Sequence, residues 1–108
     1  MPVDWRIINT NKREYLDPMQ KAVTNVVYFN SGNTKEHELK KAEICYELLC
    51  EGRTFICEAK LKNGRRPDIL VLDLINPLAY EVMKSEKEDS IIEKSDAYMG
   101  IKIVKVKC

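Results

Sequence analysis

Two apolar runs that each carry an acid constrain the fold of this chain more than any other feature. The first, DILVLDL at 68–74, is apolar almost throughout, so it is predicted to lie in the middle of a sheet with both faces covered. The second, LAYEVM at 78–83, follows the break INP and is predicted to form the next strand. Burying a lone carboxylate costs several kcal/mol unless it is paired or bound to a cation. Asp68 and Glu81 therefore need a physical explanation.

A helix is predicted before these strands, from Thr34 to Gly52. Thr34 can cap the first turn, and Gly52 can end the helix. Apolar residues recur between them at helical spacing, which predicts a buried stripe of Leu39, Ala42, Cys45, Tyr46 and Leu49.

The remaining elements follow from local signals. TFICEAKL at 54–61 is rich in β-branched and aromatic residues, and Asn63-Gly64 predicts a hairpin turn after it. Ser85 with Glu88 forms a capping box for a second helix that ends at Gly100. IKIVKV at 101–106 is predicted to be the last strand. The predicted order is helix, three strands, helix, strand, which is an α/β fold.

A chain of 108 residues and 12.5 kDa fits one domain with a single core. Residues 34–108 carry the periodic segments described above. Residues 1–33, which include the apolar patch AVTNVVYF, are predicted to form an extended N-terminal arm that contains one strand or short helix.

The charge balance is close to neutral, with 18 Lys and Arg against 17 Asp and Glu. No global field would draw such a chain onto nucleic acid, so any basic surface must be local. The candidates are Lys60, Lys62, Arg65 and Arg66, then Lys35, Lys40 and Lys41, then Lys102, Lys105 and Lys107.

Location is predicted from two absences in the sequence. It has no apolar run near the roughly 20 residues of a membrane span and no signal-peptide pattern at its start. The four cysteines lack CxxC spacing and are interpreted as buried free thiols. The sequence has one histidine, so it offers few ligands for a zinc site. We expect a cytoplasmic protein that does not interact with membranes.

Two carboxylates on adjacent strands can converge on one hard cation. Mg²⁺ suits Asp68 and Glu81 because it needs only one or two protein carboxylates and takes its other ligands from water and phosphate. The chemistry that follows is hydrolysis of a phosphodiester. The site would therefore use Mg²⁺ or Mn²⁺.

At RPDILVLD and YEVMKS the sequence resembles the PD-(D/E)XK nuclease superfamily. Over residues 34–106, with KEHELKKAEICYELL and EKSDAY, it looks most like CoiA-like competence-protein nucleases and small archaeal and viral proteins of the Holliday-junction-resolvase kind. The resemblance implies a restriction-endonuclease-like core, a mixed central sheet flanked by helices, and action on DNA. A homodimer is a further expectation, because such nucleases often act on two strands as pairs.

The resemblance also implies roles for individual residues. Asp68 and Glu81 would be the metal-binding acids, and Glu36 or Glu43 the acid on the helix. The family's lysine position is Met83 here, and a thioether donates no hydrogen bond. Substitutes for that lysine are Lys84, Lys60 and Lys41. Phosphates would be contacted by Lys60, Lys62, Arg65, Arg66 and Lys41.

Four other polar residues are given structural interpretations. His37 is interpreted as a surface or capping residue, Tyr98 as a core aromatic and Asp73 as a turn residue that ends a strand. Glu58 either faces the metal or lies on an exposed strand face.

Three functions remain open from the sequence. One is a metal-dependent nuclease that processes DNA. The second is a catalytically inactive, nucleic-acid-binding module with the same fold, which Met83 favours. The third is a structural or interface protein whose N-terminal arm exchanges with a partner.

Overall fold

The computed structural model describes residues 3–21, 23–83 and 98–108, which form a mixed α/β structure. These residues contain two helices and four strands: α1 (Trp5–Tyr15), α2 (Lys35–Cys50), β1 (Phe55–Cys57), β2 (Ile69–Val71), β3 (Leu78–Met83) and β4 (Lys102–Lys107). The predicted α/β class is confirmed. The predicted helix from Ser85 and the proposed lysine Lys84 lie outside the described residues.

The four strands form one mixed sheet in the order β1-β2-β3-β4. β1 pairs antiparallel with β2 and β2 with β3, whereas β3 and β4 run parallel. β2 lies inside the sheet and is fully buried, which confirms the prediction made from its apolar run. The strand predicted over LAYEVM is also confirmed, with the same bounds.

Each face of the sheet is covered by a different helix. Side chains of neighbouring strand residues point to opposite faces, so Leu70 packs with Ile8 of α1 while Ile69 packs with Ile44 of α2. The core is thus divided into two clusters by the sheet. No helix in the described ranges is long and apolar enough to cross a membrane.

Helix α2 begins and ends as the sequence predicts. The side chain of Thr34 accepts a hydrogen bond from the His37 N–H at 3.2 Å, which satisfies an otherwise unpaired donor of the first turn. Gly52 has a φ of +76°, a conformation that glycine adopts without a steric penalty.

The buried face of α2 agrees with the predicted one only in part. Cys45 is buried as predicted, but Leu39, Tyr46 and Leu49 are 56%, 68% and 53% exposed. The buried residues of the helix are Glu38, Lys41, Ile44, Cys45 and Leu48. The prediction was wrong for the three exposed residues because it counted only apolar side chains, whereas the buried face begins with the charged Glu38 and Lys41.

The hairpin between β1 and β2 contains the predicted Asn63-Gly64 turn. Gly64 has a φ of +88°, and its N–H donates to the Leu61 carbonyl at 2.9 Å. β1 is shorter than the strand predicted over 54–61, because Glu58 takes a φ of +51° directly after it. This left-handed residue interrupts the extended backbone and redirects the chain.

Helix α1 occupies part of the segment predicted to be an arm. Ile8 is fully buried in the core, and the Asn11 side chain donates to the carbonyls of Leu72 and Leu74 at 2.8 and 2.7 Å. These bonds attach α1 to the chain that leaves β2. The helix lies upstream of the apolar patch that the sequence singled out.

Candidate active site

Asp68 lies in the bend directly before β2, and Glu81 lies within β3. Ile69, which follows Asp68, pairs with Tyr80, which precedes Glu81. The Val82 N–H donates to Asp68 Oδ2, and the charges of both acids act on the Tyr98 hydroxyl. The two acids that the sequence singled out therefore lie close together.

Each of these carboxylates receives one hydrogen bond that fixes its position. The Val82 N–H donates to Asp68 Oδ2 at 2.8 Å, and the Tyr98 hydroxyl donates to Glu81 Oε1. Tyr98 is buried in the core as predicted, and its hydroxyl adds a polar contact that the core interpretation did not include.

The surroundings of Asp68 compensate its charge incompletely. Burial raises the pKa of its carboxyl group, and the Val82 N–H, His37 and Lys41 oppose that shift only in part. Glu58 raises the pKa further. Burial and the nearby carboxylates Glu81 and Asp68 also raise the pKa of the Tyr98 hydroxyl, so it remains a donor.

A buried lysine lies between two carboxylates on the α2 side of the sheet. Lys41 Nζ is 3.0 Å from Glu38 Oε1 and 3.3 Å from Glu58 Oε2, and the lysine side chain has no exposed surface. Burial alone would lower the pKa of Lys41, but the two acids raise it. The lysine is therefore held charged and ties α2 to the end of β1.

Glu38 is compensated far better than Asp68. Burial would raise the pKa of Glu38, but the Asn30 N–H, His37 and Lys41 all bond to its carboxylate and lower the pKa from 4.5 to about 2. Hydrogen bonds to the charged form of an acid favour ionisation. Glu38 is therefore a permanent anion near neutral pH.

His37 connects the two acids. Its Nδ1 is 2.8 Å from Glu38 Oε2, and its Nε2 is 3.3 Å from Asp68 Oδ2. A neutral imidazole can donate to only one of these oxygens, whereas an imidazolium donates to both. The interpretation of His37 as a surface or capping residue accounts for its backbone, whose N–H meets the Thr34 cap, but not for its side chain.

The left-handed backbone of Glu58 brings this acid into the cluster. A non-glycine residue at positive φ costs of order 1 kcal/mol or more and persists where its surroundings fix it. Three contacts fix Glu58 in this conformation. Its N–H donates to the Asp68 carbonyl at 3.1 Å, and the Arg66 guanidinium donates to the Glu58 carbonyl at 3.3 Å. Its carboxylate forms an ion pair with Lys41.

The helical acids proposed from the sequence lie away from this cluster. Glu36 and Glu43 are exposed, and Glu43 pairs with Lys40 at 3.6 Å. The helical acid that contacts His37 and Lys41 is Glu38. Its spacing from Lys41, Cys45 and Leu48 along one helix face is a signal that the sequence contained.

The proposed phosphate-binding residues fall into two groups. Lys62, Arg65 and Arg66 are exposed around the hairpin turn, and Lys60 is 3.7 Å from Asp17 with a partly exposed side chain. Lys41 differs from these residues because it is enclosed and bonded to two acids. Its assignment as a phosphate contact is corrected to an internal ion pair.

The parallel pairing of β3 and β4 adds a lysine that sequence reasoning did not assign to the site. Lys105 is the register partner of Glu81, and Lys107 is the partner of Met83. A cation on β4 thus lies beside the acid of β3, two residues from the partner of Met83. Only the register of a parallel pair, which is not local in sequence, could have indicated this.

Asp73 lies in a bend after β2, which agrees with its interpretation as a turn residue that ends a strand. Its Oδ2 is 3.7 Å from Arg53 Nη1. It lies outside the cluster around Asp68.

Within the described residues, no group of three or more His, Cys, Asp or Glu side chains is arranged to hold a metal ion. Glu38 and Glu58 form ion pairs with Lys41, and Asp68 lies close to Glu81. No protein-family model, curated protein or solved structure matches the chain.

Proposed function

We propose that this protein is a metal-dependent nuclease with a restriction-endonuclease-like core, and that Asp68 and Glu81 bind Mg²⁺ or Mn²⁺ during hydrolysis of DNA phosphodiesters. The observation that carries the proposal is the closeness of the two acids where β2 begins beside β3: Asp68 accepts the N–H of Val82, the residue after Glu81, and both carboxylates act on the Tyr98 hydroxyl. Two carboxylates this close together can bind one hard cation.

The donor chemistry fits a hard divalent cation. Asp68 is desolvated and incompletely compensated, as its raised pKa indicates, so a cation would stabilise its charged form. Mg²⁺ accepts one or two carboxylates and completes its coordination with water and phosphate oxygens. When bound, such an ion lowers the pKa of a coordinated water and stabilises charge on the phosphate.

The neighbouring side chains have distinct roles in this proposal. His37 orients the Asp68 carboxylate through Nε2, and the Tyr98 hydroxyl orients Glu81. Lys105, beside Glu81, supplies the positive charge that Met83 cannot. Exposed Lys62, Arg65 and Arg66 contact backbone phosphates, which fixes the position of the substrate without reading its sequence.

The second candidate function is a nucleic-acid-binding module that has lost the chemistry. Met83 favours it, because a thioether at the family's lysine position donates no hydrogen bond. Such a module would bind DNA in the presence of a chelator, and its affinity would fall steeply with salt.

The metal site is tested by titrating Mn²⁺ into the wild type and Asp68→Asn by calorimetry. We expect Asp68→Asn to lose Mn²⁺ binding, and cleavage of labelled single- and double-stranded DNA to fall roughly 10²-fold or more. Glu47→Gln, an exposed acid of α2, serves as the control and should retain both.

Two results would reject the nuclease proposal. A wild type that neither binds Mn²⁺ nor cleaves DNA would contradict it directly. DNA binding that persists in chelator and is equal in Asp68→Asn would favour the binding module.

The role of Lys105 is tested separately with Lys105→Met and Lys102→Met, which change the same residue type on the same strand. We expect cleavage to fall at least about tenfold in Lys105→Met with Mn²⁺ affinity retained, because the lysine acts on the phosphate or the attacking water. Lys102, which pairs with Leu78, should tolerate the change. Equal activity of the two variants would remove Lys105 from the site.

A further inference from the structure

Cys45 of α2 and Cys57 of β1 form a buried sulfur pair outside the carboxylate site. Their sulfur atoms are 3.4 Å apart, and the residues are 1% and 3% exposed. Both are free thiols within the same core cluster. Two thiols in direct contact on different elements are positioned to react with each other.

The sulfur atoms need to move only a short distance to form a covalent bond. A disulfide places its sulfur atoms about 2.0 Å apart, and those of Cys45 and Cys57 are already 3.4 Å apart. The bond would join a helix to the strand on which that helix packs.

A cavity lies beside one of the two cysteines. It has a volume of about 480 Å³, and Cys57 lines it together with Tyr28, Glu58 and Arg66. Cys45 is not among its lining residues. A small oxidant that enters the cavity would therefore lie nearer to Cys57.

The two thiols also differ in acidity. The hydrogen bond from Cys45, the Tyr28 N–H and the charge of Lys41 lower the pKa of Cys57, although burial opposes them. The contact with Cys57 and burial raise the pKa of Cys45. The thiolate is the nucleophile in thiol oxidation, which agrees with the cavity in selecting Cys57.

We propose that Cys57 and Cys45 are a peroxide-reactive pair that forms a reversible disulfide between β1 and α2. The Cys57 thiolate attacks one oxygen of a hydroperoxide, the O–O bond breaks, and the leaving oxygen takes a proton. Cys57 becomes a sulfenic acid, oxidised by two electrons, while the peroxide is reduced.

The second step consumes the sulfenic acid. Cys45 loses its proton and attacks the Cys57 sulfur, the S–O bond breaks, and hydroxide leaves with that proton as water. A dithiol reductant restores both thiols by exchange.

The disulfide would lie next to the acid–lysine cluster. Lys41 is one helical turn before Cys45, and Glu58 follows Cys57, so the covalent bond would join the same two elements as the Lys41–Glu58 ion pair. Disulfide formation does not depend on the proposed nuclease function. Only an effect of the disulfide on DNA hydrolysis would depend on it.

The test uses a Cys50→Ser, Cys108→Ser variant, which keeps the native pair and removes the other two thiols. The protein is treated with hydrogen peroxide, unfolded, alkylated and digested with trypsin without reductant. Arg53 lies between the two cysteines, so their peptides separate unless a disulfide joins them. We expect both thiols to be lost, one linked peptide pair from monomeric protein, and full recovery with dithiothreitol.

A second variant identifies the attacked sulfur. With Cys45 also changed to Ser, Cys57 should stop at the sulfenic acid and be labelled by dimedone. The proposal is overturned if peroxide leaves both thiols of the native pair open to alkylation after unfolding, or if Cys57 is oxidised to sulfinic acid without a link to Cys45. Absence of dimedone label on Cys57 would also contradict its role.

Discussion

Glu38 and Asp68 contact opposite nitrogens of the His37 ring, and their surroundings compensate the cost of burial to different extents. Burial raises the pKa of both carboxyl groups, but Glu38 has a backbone N–H, an imidazole and a lysine bonded to it, and its pKa falls to about 2. Asp68 has weaker compensation, and its pKa rises. The difference separates an anion that stabilises the fold from an anion whose burial is costly.

This comparison assigns the two halves of the cluster different tasks. Glu38, Lys41 and Glu58 form an internal ion network that attaches α2 to β1. Asp68 and Glu81 lie close together where β2 begins beside β3, and the proposed function assigns this pair to the cation. Substitutions in the first half should change stability, and substitutions in the second should change function.

Lys41→Met should give the largest change in stability. It leaves Glu38 and Glu58 near one another without their shared cation, and breaking a buried ion pair by removing one partner costs about 3–5 kcal/mol. The free energy of unfolding in urea measures the loss. Lys40→Met is the control, because Lys40 belongs to a partly exposed pair with Glu43 and should change stability by less than about 1 kcal/mol. Equal losses in both variants would mean that the network does not hold α2 in place.

Much of the fold could be predicted because its signals are local. The Thr34 cap, the Gly52 terminus, the Asn63-Gly64 turn and the apolar run of β2 each lie within a few residues of the feature they specify. A short helix was one of two alternatives for the N-terminal arm, but the position of α1 was not predicted because its anchor depends on distant partners. The Asn11 side chain is bonded to the carbonyls of Leu72 and Leu74.

The candidate site was predicted less completely for the same reason. Asp68 and Glu81 were found because acids within apolar strands are conspicuous in sequence. Glu38 and Lys41 were missed as a buried pair because their burial depends on Glu58, which comes from another element and needs a left-handed backbone. The position of Lys105 beside Glu81 depends on the register of two parallel strands, which the sequence does not show locally.

Glu38→Gln should have the next largest effect. It removes a charge that the fold stabilises, and the depressed pKa corresponds to about 2 kcal/mol once solvent screening is allowed for. Urea unfolding near neutral pH measures the change. Glu36→Gln, an exposed acid of the same helix turn, should lie close to wild type. If both variants matched wild type, the contrast between Glu38 and Asp68 would fail.

Acidification should reveal the same contrast in the wild type. The folded-state pKa of Glu38 lies below its ordinary 4.5, so its contribution is fully present above pH 4.5 and is lost as pH falls toward 2. Asp68 has the opposite effect on stability. Because its pKa is raised in the folded state, its protonation on acidification stabilises the folded state relative to the unfolded state. Unfolding free energies between pH 7 and about 2.5 should fall less in Glu38→Gln than in the wild type. Parallel curves would contradict the assignment of this loss to Glu38.

Asp68→Asn should have the smallest effect on stability. The amide oxygen can still accept the Val82 N–H, and the substitution removes a desolvated charge close to Glu81. The free energy of unfolding without metal should therefore stay within about 1 kcal/mol of wild type or rise. Addition of Mn²⁺ should then stabilise the wild type and not the variant, since a ligand that binds only the folded state raises the unfolding free energy. A large loss of stability without metal would show that Asp68, like Glu38, holds the fold together. Retained stability with lost Mn²⁺ response would instead identify Asp68 as an acid whose charge is kept for binding, at the expense of the fold.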